Sequence, residues 1–401
     1  MARIRVGVGQ SKQEDSSRAG EEAARAALSR LDGPADVLVV FVDPRFNHRQ
    51  LLAGVEAAAG KIPMVGGTTA GEISSHGFST GSVVVMAIAS SELAFITGVG
   101  QYMSRDEAAC AASLSQDLLD KLDGRQPLSL LVFPNGMGGD GVKVIEGLHS
   151  VLGQSFEIVG GYLGDGLNFG PTYQFHNGRV FKDAIAGLLI CHRNGFRTSV
   201  GVRSGFESLG NRFVCTRAQG NVALEFDGKP ALEFYRDILG EDRSGRLPEI
   251  ALMYPFGLID ETVSIQGQEY FQLRCALAID EQLSSLTLAG SIPAGRAITI
   301  TTASRGELIQ GAALAAEQAM ASLEGAKPVA ILMFSCVGRR MVLGRRTSEE
   351  VEAVQKVLGA EVPLVGFYSY GEIGPIDKSC EPLSVCKFHN ETVVLWVLGE
   401  V

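Results

Sequence analysis

Three stretches of this chain carry one pattern, and a repeat of that kind restricts the possible folds more than any composition does. Near the end runs Pro363-Leu364-Val365-Gly366-Phe367-Tyr368-Ser369-Tyr370-Gly371-Glu372-Ile373. Near the start runs Pro63-Met64-Val65-Gly66-Gly67-Thr68-Thr69-Ala70-Gly71-Glu72-Ile73, and in the middle Ile158-Val159-Gly160-Gly161-Tyr162-Leu163-Gly164-Asp165. Each reads as a short apolar strand that breaks at glycine and ends in Gly followed by an acid. Apolar strands ending at Phe41, Phe133 and Phe334 precede the three copies, with a helix-like segment between. Apolar runs from Val83, Ile185 and Thr392 follow them. A strand, helix, strand, strand unit used three times accounts for this, and the irregular spacing fits related modules better than a solenoid. The expected fold class is α/β (α+β), with mixed, largely antiparallel sheets flanked by helices.

Local signals fill in the rest. Helical periodicity predicts helices from about Asp15 to Leu31, from Asn47 to Gly60, and from about Gly306 to Leu323. Only Ala89-Ser90-Ser91-Glu92 separates the apolar runs Ser82 to Ile88 and Leu93 to Val99, which predicts a hairpin. Asn177-Gly178 predicts a tight hairpin turn, because that pair tolerates positive φ at both positions. Strands are expected near Ile250, Tyr270 and Ala297. Thr347 and Glu350 have capping-box spacing ahead of a helix ending at Gly359. A division near residue 208 gives two domains, 1–208 and 209–401.

Net charge is −10 with no basic run, which argues against nucleic acid or an anionic membrane as the main partner. Seven cysteines without a C-x-x-C pair fit reduced thiols. The amino terminus reads as a strand and no apolar run reaches the roughly 18 residues needed to cross a bilayer, so a cytoplasmic protein is expected.

With the units laid out, the chain resembles the FIST family of bacterial sensory domains. In the first half the resemblance rests on Val65 to Ile73, on Val159-Gly160-Gly161 with Gly164-Asp165, and on Asn177-Gly178. In the second half it rests on Asp227-Gly228-Lys229-Pro230-Ala231, on Phe334-Ser335-Cys336-Val337-Gly338-Arg339, on Gly366 to Ile373, and on Phe388-His389-Asn390 with Thr392. The resemblance implies a FIST N-terminal-like and a FIST C-terminal-like domain. It also implies a sensor of small ligands such as amino acids; some family members look like haem-dependent nitric oxide sensors. No output domain is recognisable, so the signal would pass to a separately encoded histidine kinase, cyclase or chemoreceptor component.

The candidate ligand set rests on side-chain chemistry and the resemblance together. Tyr368, Tyr370 and Glu372 alternate, which on a strand places them on one face. A carboxylate beside phenol hydroxyls suits an ammonium group, and Arg339 suits a carboxylate. Cys336 and Asn390 belong to the same set; Thr69, Glu72 and Asp165 are the corresponding cluster of the first half. Each has a plain alternative: a core thiol at Cys336, a surface ion pair at Arg339, loop structure for the rest. Guanidinium groups at Arg339 and Arg340 would depress the Cys336 thiol pKa and admit a cysteine-dependent enzyme. The glycines of 136–141 lack the Lys-Ser/Thr of a phosphate-binding loop. The histidines show no metal spacing, and His176 is the first choice for a haem axial ligand. The leading expectation is a non-catalytic, cofactor-free sensor of an amino-acid-like ligand. A gas-sensing haem protein, a Cys336 enzyme and a pure interaction scaffold are the alternatives.

Overall fold

The computed structural model describes residues 3–192, 195–265, 268–376 and 384–401; Cys380 lies outside them. Each repeat is built on a parallel strand pair joined by a helix. Val37–Val42 pairs with Met64–Thr68 across helix His48–Ala59. Gln126–Pro134 pairs with Ile158–Gly161 across helix Gly141–Leu152. Lys327–Cys336 pairs with Leu364–Ser369 across helix Thr347–Leu358. The glycine that breaks each motif is required by this pairing. A Cβ at Gly66, Gly160 or Gly366 would stand 1.8–1.9 Å from the carbonyl oxygen of Val40, Val132 or Met333 on the parallel neighbour, far inside contact distance.

On the other side of the first strand of each pair lies an antiparallel one: Val83–Ser90, Ala184–His192 and Val393–Glu400. Beyond these come Ile4–Ser11, Leu93–Gln101 and Phe196–Arg203. The repeating unit is therefore longer than the sequence suggests, with a strand added at its beginning. Val83–Ser90 and Leu93–Gln101 do not form the expected hairpin. They belong to different sheets, and Ser91-Glu92 carries the chain from one unit to the next. Short spacing proved insufficient because each run finds a better-matched partner within its own unit.

The units are also laced together. After its glycine loop each chain segment leaves its own sheet and extends another. Glu72–Ser74 and Gly77–Ser79 join the third unit's sheet beside Leu364–Ser369. Tyr173–His176 and Arg179–Lys182 join the first beside Met64–Thr68. Glu372–Pro375 and Cys386–His389 join the second beside Ile158–Gly161. Among the described residues this closes a ring of three six-stranded sheets. The Asn177-Gly178 turn is as expected, with φ of 48° and 71°. A fourth sheet, with eight strands, occupies Glu207 to Thr302 within the third unit. Residue 208 lies in its first strand, Glu207–Gln219.

Inner faces of the three sheets share one core. Phe41 and Phe133 meet edge-on at 5.4 Å, and Phe334 lies 6.1 Å from Phe133. Phe367 packs against all three, at 4.7, 6.4 and 5.3 Å. The other two units have Gly67 and Gly161 at the corresponding strand position, so one phenyl ring fills the axis where three would collide. Outer faces are covered by helices, such as Ser16–Leu28 with Asp15 as its N-cap.

Two local expectations are corrected. Residues around Ile250 form a 3-10 turn, Glu249–Met253. Thr347 and Glu350 form no capping box: the helix begins after Arg346 with no side-chain cap, and Glu350 turns into the protein. A true capping box sits at Ser304 and Glu307, opening helix Arg305–Ser322.

Candidate functional site

The three glycine loops meet at one pole of the ring, beyond the carboxyl ends of the parallel strands, where ligands of α/β sheets commonly bind. They are tied in a closed circuit of backbone hydrogen bonds. Ala70 N donates to Tyr368 O (3.0 Å) and Tyr368 N to Gly71 O (2.8 Å). Tyr162 N donates to Gly371 O (2.8 Å) and Tyr370 N to Tyr162 O (3.0 Å). Gly164 N and Gly166 N donate to Thr68 O (3.1 Å) and Thr69 O (2.9 Å).

Beneath this circuit the acids of the motif act as buried staples. Glu72 accepts hydrogen bonds from the Thr69 hydroxyl (2.5 Å), the Ser82 amide (3.1 Å) and the Ser82 hydroxyl (2.8 Å). Glu372 repeats the arrangement with Ser369 (2.6 Å), the Thr392 amide (3.2 Å) and the Thr392 hydroxyl (2.8 Å). Both are fully buried. Burial pushes the carboxyl of Glu72 up to about 7 and that of Glu372 up to about 8, against the opposing pull of their hydroxyl donors.

The second unit's counterpart is Gln174, not Asp165. Gln174 pairs with Gly67, as Glu72 pairs with Phe367 and Glu372 with Gly161, each the fourth position of its partner strand. Its Oε1 accepts from the Ala184 amide at 3.1 Å, and its amide nitrogen donates to Thr172 at 3.4 Å. Sequence reading missed it because a longer loop carries the staple nine residues beyond Asp165.

Asp165 is thereby left for another role. One of its carboxylate oxygens accepts from the Gly170 amide (2.7 Å), and the other takes the Tyr370 hydroxyl of the third unit. Tyr370 is half-buried, and Phe169 stacks on its ring at 5.0 Å with 16° between planes. Across the segment Ala70-Gly71 stands Arg340, also half-buried. Its guanidinium donates to Ala70 O and lies 5.0 Å over the ring of Phe78. On the opposite side, Ala70 abuts Gly164, next to Asp165. An anion and a cation thus flank one loop at the pole.

The remaining candidates lie deeper. Arg339 is fully buried and paired with Glu350 (Nε to Oε1, 2.8 Å), with further donation to Ser204 O and Leu308 O. Tyr368 donates to the same Glu350 at 2.6 Å, and Ser335 at 3.0 Å. Tyr368 and Glu372 do not share a ligand face, because the chain leaves its sheet between them. Cys336 is buried beside Glu372 and Glu391. Burial and those two carboxyls push its thiol pKa well above normal, the reverse of the thiolate expected from neighbouring arginines. Glu391 accepts from the Cys275 thiol at 3.0 Å and is itself raised by burial to about 7. Asn390 is buried next to it, and among the described residues its Oδ1 has no hydrogen-bond partner. The six described cysteines are free and buried. Among the described residues no three His, Cys, Asp or Glu side chains are placed to hold a metal ion. His176 offers a haem no free Nε2, which lies 3.2 Å from both the Thr97 hydroxyl and the Asn177 amide. Among the described residues, no helix is long and apolar enough to cross a membrane.

Solved structures that align along the chain include the cyanuric acid hydrolase of A. caulinodans, at 9% identity and a TM-score of 0.37 over 99% of both chains. A second cyanuric acid hydrolase aligns over 100% of both chains at 9% identity and a TM-score of 0.36. Since these neighbours are enzymes, the expectation of a non-catalytic chain is withdrawn; at such TM-scores the likeness assigns neither a reaction nor a residue. Relatives include an uncharacterized Mycobacterium tuberculosis protein, 28% identical over 389 residues, covering 93% of this chain and 95% of its own length. An uncharacterized Mycobacterium bovis protein is 26% identical over 388 residues, with the same coverage. A model of the FIST N domain matches residues 36–229 and one of the FIST C domain matches residues 231–375, so the chain belongs to the FIST family, whose domains are associated with signal-transduction sensing.

Proposed function

We propose that this protein senses a small amino-acid-like ligand at the pole where its glycine loops meet, and passes the signal to a separate partner. The partner would be a histidine kinase, a cyclase or a chemoreceptor component. The observation that carries the reading is the Asp165–Tyr370 contact between the second and third units, with Arg340 across Ala70-Gly71. A zwitterion needs a carboxylate for its ammonium group and a guanidinium for its carboxylate; Arg340 is half-buried at the pole, and Asp165 lies just beneath the surface, buried under Tyr370 and Phe169. Phe169, stacked on Tyr370, supplies an apolar wall. The other candidates serve as the shell beneath. Thr69, Glu72 and Glu372 fix the loops; Arg339, Tyr368, Cys336 and Asn390 pack below them. A ligand joining Asp165 to Arg340 would draw loops of all three units together, which is a way for binding to alter the outer surface.

The test is a thermal-shift screen of the full chain against amino acids, common metabolites and haemin. A ligand at 100 times its Kd adds about 2.7 kcal/mol. With about 2.1 cal/mol/K per residue of unfolding entropy, that raises the midpoint by roughly 3 °C. A shift with an amino acid is expected. Haemin alone giving a shift and a Soret band would replace this reading with gas sensing, and silence throughout would leave an interaction scaffold.

A further inference from the structure

A second cleft lies between the first unit and the Glu72–Ser74/Gly77–Ser79 hairpin it lends to the third, on the far side of Phe78 from Arg340. It is a cleft of about 480 Å³, in the size range of small-molecule pockets. Gln10, Ser11 and Ser79 line it, Phe78 contributes apolar wall, and Lys12, Arg30 and His76 stand around it. The polar lining is held in place. The Gln10 amide donates to Ser79 (2.6 Å) and accepts from Ser74 (3.0 Å), while Ser79 shares a hydrogen with Ser82 at 2.8 Å.

The charges around the cleft are the informative part. No acidic side chain lines it. Lys12, Arg30 and His76 are exposed, and among the described residues none of them has a side-chain ion pair or hydrogen bond. Of the cations on the same strand and the following helix, Arg5 pairs with Asp32 at 3.1 Å and Arg25 with Glu21, while Arg18 is exposed. In a chain of net charge −10, the two unpaired cations Lys12 and Arg30 stand at one cleft, with the His76 imidazole beside them. They leave a local positive potential that attracts anions.

We propose that this cleft binds a small, multiply charged anion through phosphate or carboxylate oxygens. Arg30 offers a planar fork for two oxygens, Lys12 a point charge, and the second amide hydrogen of Gln10 one hydrogen bond; the Ser11 and Ser79 hydroxyls already donate, to Glu22 at 2.7 Å and to Ser82. Its charged groups are distinct from those at the pole, and the two sites share only Phe78, whose ring also carries the Arg340 guanidinium.

The experiment is calorimetric titration of the full chain with pyrophosphate and, separately, with citrate, at low salt. The wild type is expected to bind at least one, with affinity falling as salt rises. Binding of pyrophosphate alone assigns phosphate chemistry, and of citrate alone carboxylate chemistry. The double variant Lys12→Ala/Arg30→Ala is expected to raise Kd at least tenfold, and Lys12→Glu/Arg30→Glu to abolish binding. Both residues are exposed, so unchanged circular dichroism should accompany the loss. Equal Kd in wild type and double variant overturns the proposal, as does no binding of either anion. Arg340→Met separates the two sites: anion binding lost there and kept in the double variant would move the anion to the pole and also overturn it.

Discussion

Arg339 is where a ligand role and a structural role make opposite predictions. Arg339→Met leaves Glu350 fully buried with only the hydroxyls of Tyr368 and Ser335 as donors, and frees the carbonyls of Ser204 and Leu308. Breaking a buried ion pair from one side costs about 3–5 kcal/mol. At about 2.1 cal/mol/K per residue the whole chain loses roughly 4–6 °C of midpoint if it unfolds as one unit. Glu350→Leu should cost at least as much, since it strands a guanidinium and two hydroxyls. The double variant should cost less than the sum of the singles, because neither charge is then left unpaired. Urea unfolding of the four proteins, followed by circular dichroism, gives the cycle. Singles within about 0.5 kcal/mol of wild type, the range of ordinary surface changes, would refute the reasoning. Arg339 would then be available to a ligand, as the sequence alone suggested.

Further outcomes concern the staples and the axis. Glu72 and Glu372 have folded-state pKa values raised to about 7 and about 8 from 4.5. The folded state therefore holds more protons between those values, and stability falls as pH rises from about 5 to 8. Glu372→Gln should flatten that slope in urea midpoints against pH; an unchanged slope would count against it. Phe367→Ala empties the axis between Phe41, Phe133 and Phe334 and should cost about 3–5 kcal/mol, read by the same unfolding assay. Cys336, buried with a raised pKa, should react with iodoacetamide at neutral pH far more slowly than a free thiol. Rapid labelling of Cys336, located by mass spectrometry, would reopen the cysteine-enzyme reading.

How much of this was legible in the sequence depends on the range of each interaction. Gly66, Gly160 and Gly366 announced the repeat because a backbone approach within one unit leaves no room for Cβ. Asn177-Gly178 gave its turn because two positive φ values are a local demand. The pairing of the strand after each glycine loop was not legible, since Glu72 pairs with Phe367 and Glu372 with Gly161, partners hundreds of residues away. That exchange separates Tyr368 from Glu372, and it hides Gln174 as the third staple. Glu350 had capping-box spacing, yet the buried guanidinium of Arg339 competed for it and won. Of the candidate ligand residues, Asp165 and Tyr370 were placed together from opposite halves of the chain, which alternation along a single strand could not express. Arg340 was noted only as a neighbour of Cys336; its place beside Ala70 depends on the loop circuit.

The central claim is that a small zwitterion docks between Asp165 and Arg340. It is tested most directly by calorimetric titration of wild type, Asp165→Asn and Arg340→Met with whichever amino acid gives the largest thermal shift. The account predicts one site per chain in the wild type. Kd should rise at least tenfold in each variant, about 1.4 kcal/mol or more, with folding retained. Wild-type affinity in both variants would contradict it.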